Sequence, residues 1–283
     1  MRRLSLLWPV LGVLLGLVSP APVPVLLLLD SFSQTLSGYA KAYCSERGVL
    51  VVEAITPYSQ AMLARRGAEV PASLRTPPPG MEAEWAESQL PEDARLLGCL
   101  SESDAGVPTA ERISLALDLP CNGQAEHLRD KFLTNQVLTQ AGLKTAAQLL
   151  SSDWESLKKE LLETSMLSPE GLFKCVVKPY RGVASDGVHL CHSLDEVETA
   201  FKKLLHSSKY GGGRQDQVLV QEYLDGEEFA IDTVSCNGII KITAVWKYRK
   251  LSKNNAPFVY QCTVTVIFSP SSNLITIGAD RCD

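Results

Sequence analysis

The sequence predicts an α/β protein in two parts. A small three-layer unit on a parallel sheet comes first, then a region of strands, hairpins and amphipathic helices. Three observations carry that reading. The runs VPVLLLLDS and VLVVEAI are apolar nearly throughout, as strands covered on both faces are, and a helix-like segment separates them. Beyond residue 121 the apolar residues instead fall at helical spacing or in short runs bounded by turns. The chain has 283 residues, 45% of them hydrophobic, enough for one large core or two smaller ones.

In chain order, VPVLLLLDS is the first buried strand, QTLSGYAKAYCSERG a helix ended by Gly48, and VLVVEAI the second strand. Residues 71 to 92, with RTPPPG, read as a loop. ARLLGCLSES gives a strand and its loop, and PTAERISLALDLP a helix with Pro108 near its start. Residues 23–121 therefore form the expected first domain. In the next helix Leu128, Phe132, Leu133, Val137, Leu138 and Ala141 share a face, and Gly142 ends the run. SSDWESLKKELLETSML is a helix with Ser152 or Asp153 as N-cap. FKCVVKP and GVHLC are strands. Ser193 and Glu196 open a helix whose apolar face is Val197, Ala200, Phe201, Leu204 and Leu205. After the connection KYGGGRQD come three strand-like runs, the last two joined at Asn237-Gly238, a hairpin turn. The expected second domain is 122–283, with lobes of about 122–206 and 214–283.

Composition limits the function. A net charge of -5 without a basic block argues against nucleic acid as a partner. The eight cysteines are scattered without a CxxC pair, and Cys175, Cys191 and Cys262 lie in apolar runs. That is the pattern of reduced thiols in cytosol or organelle stroma, not of a zinc site or disulfide framework. The N-terminus pulls the other way. Arg2 and Arg3 precede an apolar stretch from Leu4 to Val18, and no acid occurs before Asp30, which suggests a secretory or organelle-targeting leader over 1–22. The stretch is short for a membrane span, so no integral membrane domain is expected. His127, His189, His192 and His206 share no ligand spacing on a helix face, so no transition-metal site is expected.

The residues that could carry chemistry lie in the second part. No G-x-x-x-x-G-K-[ST] and no G-x-G-x-x-G motif occurs. Lys178 ends an apolar strand just before a loop, where an ammonium can meet a phosphate as a point charge; the alternative is an edge-strand lysine that discourages aggregation. Lys131 lies on the helix that opens the second part, and a solvated helix lysine is its alternative reading. In YRGVASDG, Gly182 and Gly187 allow backbone N–H groups to converge, and Ser185 adds a hydroxyl. In VLVQEYLDGEEFAID a strand ends at Glu222-Tyr223-Leu224 and turns at Asp225-Gly226. Such a hinge exposes backbone groups that can pair with a base, and the nearby Glu228 can accept ribose hydroxyls. Val177 and Leu224, with Ile231 or Val245 opposite, could form an apolar slot for the base; an acidic β-turn is the plainer reading.

Taken in order, RDKFLTNQVL, VVKP, RGVASDGV and QEYLDGEEFAID resemble the ATP-grasp superfamily. KPYRGVASDGVHLC and VWKYRKLSKNNAPFVY look most like its L-amino-acid ligase and carnosine-synthase branch. The resemblance covers residues 24 to about 268 and implies a Rossmann-like pre-ATP-grasp domain followed by an ATP-grasp fold of two α+β lobes. It implies that Lys131 and Lys178 touch ATP phosphates, with Lys178 also near the adenine. It places Gly182, Ser185 and Gly187 in the phosphate lid. Gln221, and Glu222, Tyr223 and Leu224 at the hinge, would read the adenine edge, and Glu228 would hold the ribose. Lys247, Arg249 and Lys250 are candidates for the γ-phosphate or acyl phosphate, Arg249 and Lys250 in the catalytic role; a solvated strand end is the alternative.

The implied activity is ATP-dependent joining of a carboxylate and an amine, each an amino acid or other small molecule. It proceeds through an acyl phosphate with magnesium (Mg2+) as cofactor. The family's acidic metal ligands lie on later strands than this sequence shows, so no metal ligand is assignable, and Asp280 and Arg281 are not assigned to metal. The chain accordingly reads as an incomplete ATP-grasp protein expected to bind ATP weakly and ligate poorly alone. A binding relic without turnover is the second reading, and a bicarbonate-using carboxylase-type subunit the third. The sequence leaves a homodimer open.

Overall fold

The computed structural model describes residues 21–31, 34–69, 74–123, 128–164, 173–183, 185–209, 212–253, 256–269 and 274–277. The leader expected at 1–22 therefore lies almost wholly outside the described residues, as do Asp280 and Arg281. The chain divides into two compact units, residues 1–126 and 127–283.

In the first unit β1 (Val23–Leu29), β2 (Leu50–Ile55), β3 (Leu74–Arg75) and β4 (Ala94–Ser101) form one sheet in the order β3-β2-β1-β4, parallel throughout. The helices are α1 (Gln34–Ser45), α2 (Pro57–Arg65), α3 (Glu82–Gln89) and α4 (Val107–Ala116). Because β1 is central and covered, Val25, Leu27 and Leu29 are fully buried with Ala54, Cys99 and Ile113. The carboxyl ends of the strands are knotted by Asp30, a buried carboxylate. It accepts hydrogen bonds from the Thr56 N–H (2.8 Å), Thr56 Oγ1 (2.9 Å), Ser59 Oγ (2.8 Å) and Ser103 Oγ (2.8 Å). Four donors replace the water that an ionised or neutral carboxyl would otherwise lose.

Two helices were not expected. The loop expected over 71–92 contains β3 and α3. Only Glu82 of α3 is fully buried; it accepts from the Gly80 N–H at 3.1 Å and pairs with Arg112, while Trp85 and Ala86 pack partly buried against the core. The other is α2, capped by Thr56, which accepts the Ser59 N–H, with Pro57 at its first position.

The second unit holds two antiparallel sheets. The first has the order β5-β8-β6-β7, from β5 (Gln148–Ser151), β6 (Cys175–Lys178), β7 (His189–Cys191) and β8 (Val218–Glu222). Helices α6 (Trp154–Glu163) and α7 (Leu194–Leu204) cover it, burying Leu157, Leu161, Val197 and Phe201 against Val177, Val218 and Val220. Asp153 is the N-cap of α6, accepting the Ser156 N–H at 2.8 Å. Ser193 caps α7, while Glu196 reaches one residue further back than a capping box requires, to the His192 N–H at 2.7 Å. The second sheet has the order β12-β11-β10-β9, from β9 (Glu228–Cys236), β10 (Ile239–Lys253), β11 (Ala256–Ser269) and β12 (Leu274–Ile277). Asn237 and Gly238, both at positive φ (50° and 76°), turn β9 into β10.

Two expectations are corrected here. The lobe division at 206 and 214 fails, because β8 pairs with β5 and β6 and so belongs to the first sheet; the sheets change over after Glu222. The apolar face expected for the helix α5 (Lys131–Gln140) is not buried: Leu128 precedes the helix, and Val137 and Leu138 stay exposed. Polar ties hold α5 instead. Asp130 caps the Phe132 and Leu133 N–H groups, and Asn135 and Gln148 bond to backbone carbonyls. Among the described residues no helix is long and apolar enough to cross a membrane.

Candidate functional site

The strand β6 sets the site by its two-residue alternation. Val177 is fully buried beneath α6 and α7, so its neighbours Val176 and Lys178 face the other way. They line a crevice of about 1220 Å³ within the second unit. Its walls are the first sheet, the loop after Lys178, the hinge after β8, and the start of β9 with the middle of β10.

Lys131 stands at the first turn of α5, where its backbone N–H donates to Tyr180 O (2.9 Å) and its Nζ to Gly182 O (2.8 Å). Lys178 donates to Gln221 Oε1 at 2.6 Å. Burial pushes the Lys178 pKa down to about 8, and the nearby ammonium groups of Lys131 and Lys250 push the same way, while Glu228 opposes them. Three lysines from separate elements therefore act on one volume.

The loop after β6 turns back through Ser185 (φ 59°) and Gly187 (φ 68°). At Gly187 a Cβ would lie 2.9 Å from Leu204 Cδ2 and 3.1 Å from Pro179 Cγ, so glycine is required there by both angle and space. Gly182, Val183, Ser185, Asp186 and Val188 line the crevice; Gly187 does not. The hinge contributes Gln221, Glu222, Tyr223 and Leu224. Lys174 stiffens it, with its ammonium 3.8 Å from the Tyr223 ring centroid and 2.9 Å from Asp225 Oδ1. The Glu222 carboxylate is turned to the Ala147 N–H at 3.0 Å. From the second sheet come Glu228, Lys247, Arg249 and Lys250. Lys250 bridges both oxygens of Glu228 (2.9 and 2.6 Å), and Lys247 pairs with Glu227.

The structure thus brings together Lys131, Lys178, Gly182, Ser185, Gln221 to Leu224, Glu228, Arg249 and Lys250. It does not bring Val177, which belongs to the core, and Gly187 shapes the loop from behind. Ile231 and Val245 are also absent from the described lining. The apolar contribution comes from Val176, Val183, Val188, Leu190, Leu224 and Phe229. Sequence reasoning missed Val176 although the signal was present: if Lys178 faces a ligand, so does the residue two before it. Arg181 leaves the crevice to pair with Asp130, Nε to Oδ2 at 3.3 Å.

Arrays of this kind suit a polyanion with a flat apolar end: ammonium groups, small-residue N–H groups and an apolar slot in one cleft. A resident Mg2+ is not matched by the described residues. Glu227 and Glu228 are taken by lysines, and no three His, Cys, Asp or Glu side chains converge among them.

Comparison with known proteins places the fold. The ATP-grasp domain family model matches residues 172–276. The chain is similar to dapdiamide A synthase of Enterobacter agglomerans, at 30% identity over 165 residues, 57% of this chain and 37% of that protein. In structure it is similar to the L-amino acid ligase of Bacillus licheniformis (TM-score 0.58, 18% identity, 88% of this chain and 56% of that one). It is also similar to a biotin carboxylase domain of Hydrogenobacter thermophilus solved with MgADP (TM-score 0.57, 13% identity, 88% and 55%). The chain spans less than two thirds of each.

Proposed function

We propose that the crevice binds ATP and that the protein is an ADP-forming carboxylate–amine ligase, making an amide or dipeptide bond through an acyl phosphate. The observation that carries this is the meeting of Lys131 and Lys178, distant in sequence, in one crevice beneath a small-residue loop, with Lys250 close enough to depress the Lys178 pKa. The similarity to an L-amino acid ligase and to dapdiamide A synthase supports amino acids as substrates.

The reaction explains the array. A carboxylate attacking a γ-phosphate brings two anions together, and fixed ammonium groups offset that repulsion. Lys131, Lys178 and the Ser185 loop would hold phosphates; Val176, Leu190 and Leu224 would flank the base, with the Glu222 and Leu224 backbone at its edge. Ribose hydroxyls would replace Lys250 on Glu228, leaving Lys250 and Arg249 for the acyl phosphate. ATP-grasp chemistry uses Mg2+ with ATP, and the described residues do not form a site for the ion. We read residues 23–121 as the α/β domain that precedes such lobes, and 1–22 as a targeting leader on composition alone.

Calorimetric titration with ATP and Mg2+, followed by a coupled ADP assay over pairs of L-amino acids, tests this. Saturable binding with amino-acid-dependent ADP release is expected. Binding without release from any pair would select an ATP-binding module without turnover, and no binding would overturn the nucleotide reading.

A further inference from the structure

The stem of the loop over the crevice is held from outside it. Tyr180 is 6% exposed, and its hydroxyl donates to Asp216 Oδ1 at 2.6 Å while accepting from Lys209 Nζ at 2.5 Å. The same ammonium lies 4.5 Å from the Tyr180 ring centroid and 3.7 Å from Asp216 Oδ1. Burial, then the hydrogen bond to Asp216, raises the Tyr180 pKa above the ordinary tyrosine value, and that bond lowers the Asp216 pKa, so donor and acceptor keep their roles near neutrality. Hydrogen bonds to charged partners are the strong kind, and here two of them close on one oxygen.

What Tyr180 fixes is the phosphate arm of the site. Its carbonyl accepts the Lys131 N–H, the next residue's carbonyl accepts from the buried Gln215 (3.5 Å), and the carbonyl after that accepts Lys131 Nζ. Three successive residues, 180 to 182, are thus pinned between α5 and the segment from Lys209 to Asp216. Beyond them the loop bonds to itself: Asp186 N–H to Val183 O and Val188 N–H to Ser185 O. Tyr180, Lys209 and Asp216 do not line the crevice.

We propose that Tyr180, clamped by Lys209 and Asp216, is a positioning residue that sets Lys131 and Gly182 against Lys178 and so governs affinity for the polyphosphate without touching the nucleotide. The proposal rests on the ATP reading of the crevice. A loosened stem displaces Lys131 and the loop but leaves the base slot between β6 and the hinge intact, so its effect falls on the phosphates alone.

The test compares ATP and AMP binding to the full chain carrying Tyr180→Phe, Asp216→Ala or Asp216→Asn. Tyr180→Phe and Asp216→Ala are expected to weaken ATP about tenfold, the scale of one lost charge-assisted hydrogen bond, with AMP changed by less than about twofold. Asp216→Asn keeps an acceptor and is expected to restore most of the affinity. The Asp216 side chain is 69% exposed, so its variants serve if Tyr180→Phe folds poorly. Equal weakening of ATP and AMP, or no weakening of ATP, overturns the positioning role. A wild-type chain that binds neither nucleotide overturns the ATP reading itself, and the proposal with it.

Discussion

Binding of ATP at pH 8.5 is expected to draw a proton onto Lys178, and replacing that residue with arginine to abolish the uptake. Burial and two neighbouring ammonium groups hold the free Lys178 near a pKa of about 8, below the ordinary 10.5. At pH 8.5 such a group carries its proton only about a quarter of the time. A triphosphate beside it favours the charged form, so about 0.75 of a proton should be taken up per ATP, against about 0.1 at pH 7. The sign follows from linkage. Affinity is nearly flat below pH 8 and falls as pH rises above it, by up to about tenfold per unit until the bound-state pKa is reached. Calorimetry at pH 8.5 in two buffers of different ionisation enthalpy reads the uptake directly, and Lys178→Arg, which stays charged, should show none from this site. No buffer dependence in the wild type, or an equal one in Lys178→Arg, would refute the assignment of Lys178 to the phosphates.

Further outcomes follow from the same geometry. Val177→Thr should destabilise the second unit by about 1–3 kcal/mol, because it buries a hydroxyl among apolar side chains, whereas Val176→Thr, on the crevice face, should destabilise less and weaken ATP; thermal melts paired with titrations separate the two. Gly187→Ala should lower the melting temperature, at a cost of roughly 1–3 kcal/mol for the left-handed angle, with Leu204 and Pro179 forced to move as well. Asp30→Ala strips the acceptor from Thr56, Ser59 and Ser103 and should destabilise the first unit by about 3 kcal/mol or more in urea denaturation.

The sequence made the parallel sheet of the first unit legible because its central strand β1 is covered on both faces and so is an unbroken apolar run. Caps and turns were legible for the same local reason: Asp153, Ser193 and Asn237-Gly238 act on backbone groups within a few residues. Elements fixed by long-range contacts were not. The helix α3 is anchored by the buried Glu82 and its partner Arg112, thirty positions away in the chain, and no periodicity announces that. Likewise β8 looked like the start of a new lobe, since nothing local in VLVQE says which sheet it enters; long-range pairing with β5 and β6 decides. Within the site, Lys131, Lys178 and the hinge could be found because motif order carried them, whereas Val176 was lost by reading the residue next to Lys178 instead of the one on its face. The pairing of Lys250 with Glu228 and of Lys247 with Glu227 depends on the crossing of β9 with β10, which spacing alone does not supply.

The convergence of two remote lysines on one triphosphate can be read chemically. An acyl-phosphate derivative of ATP delivers its acyl group to amines within reach of the phosphates, and peptide mass spectrometry locates them. Acylation at Lys131 or Lys178, suppressed by excess ATP, is the predicted result. Labelling confined to lysines outside the crevice, such as Lys41 or Lys202, or labelling indifferent to ATP, would contradict it.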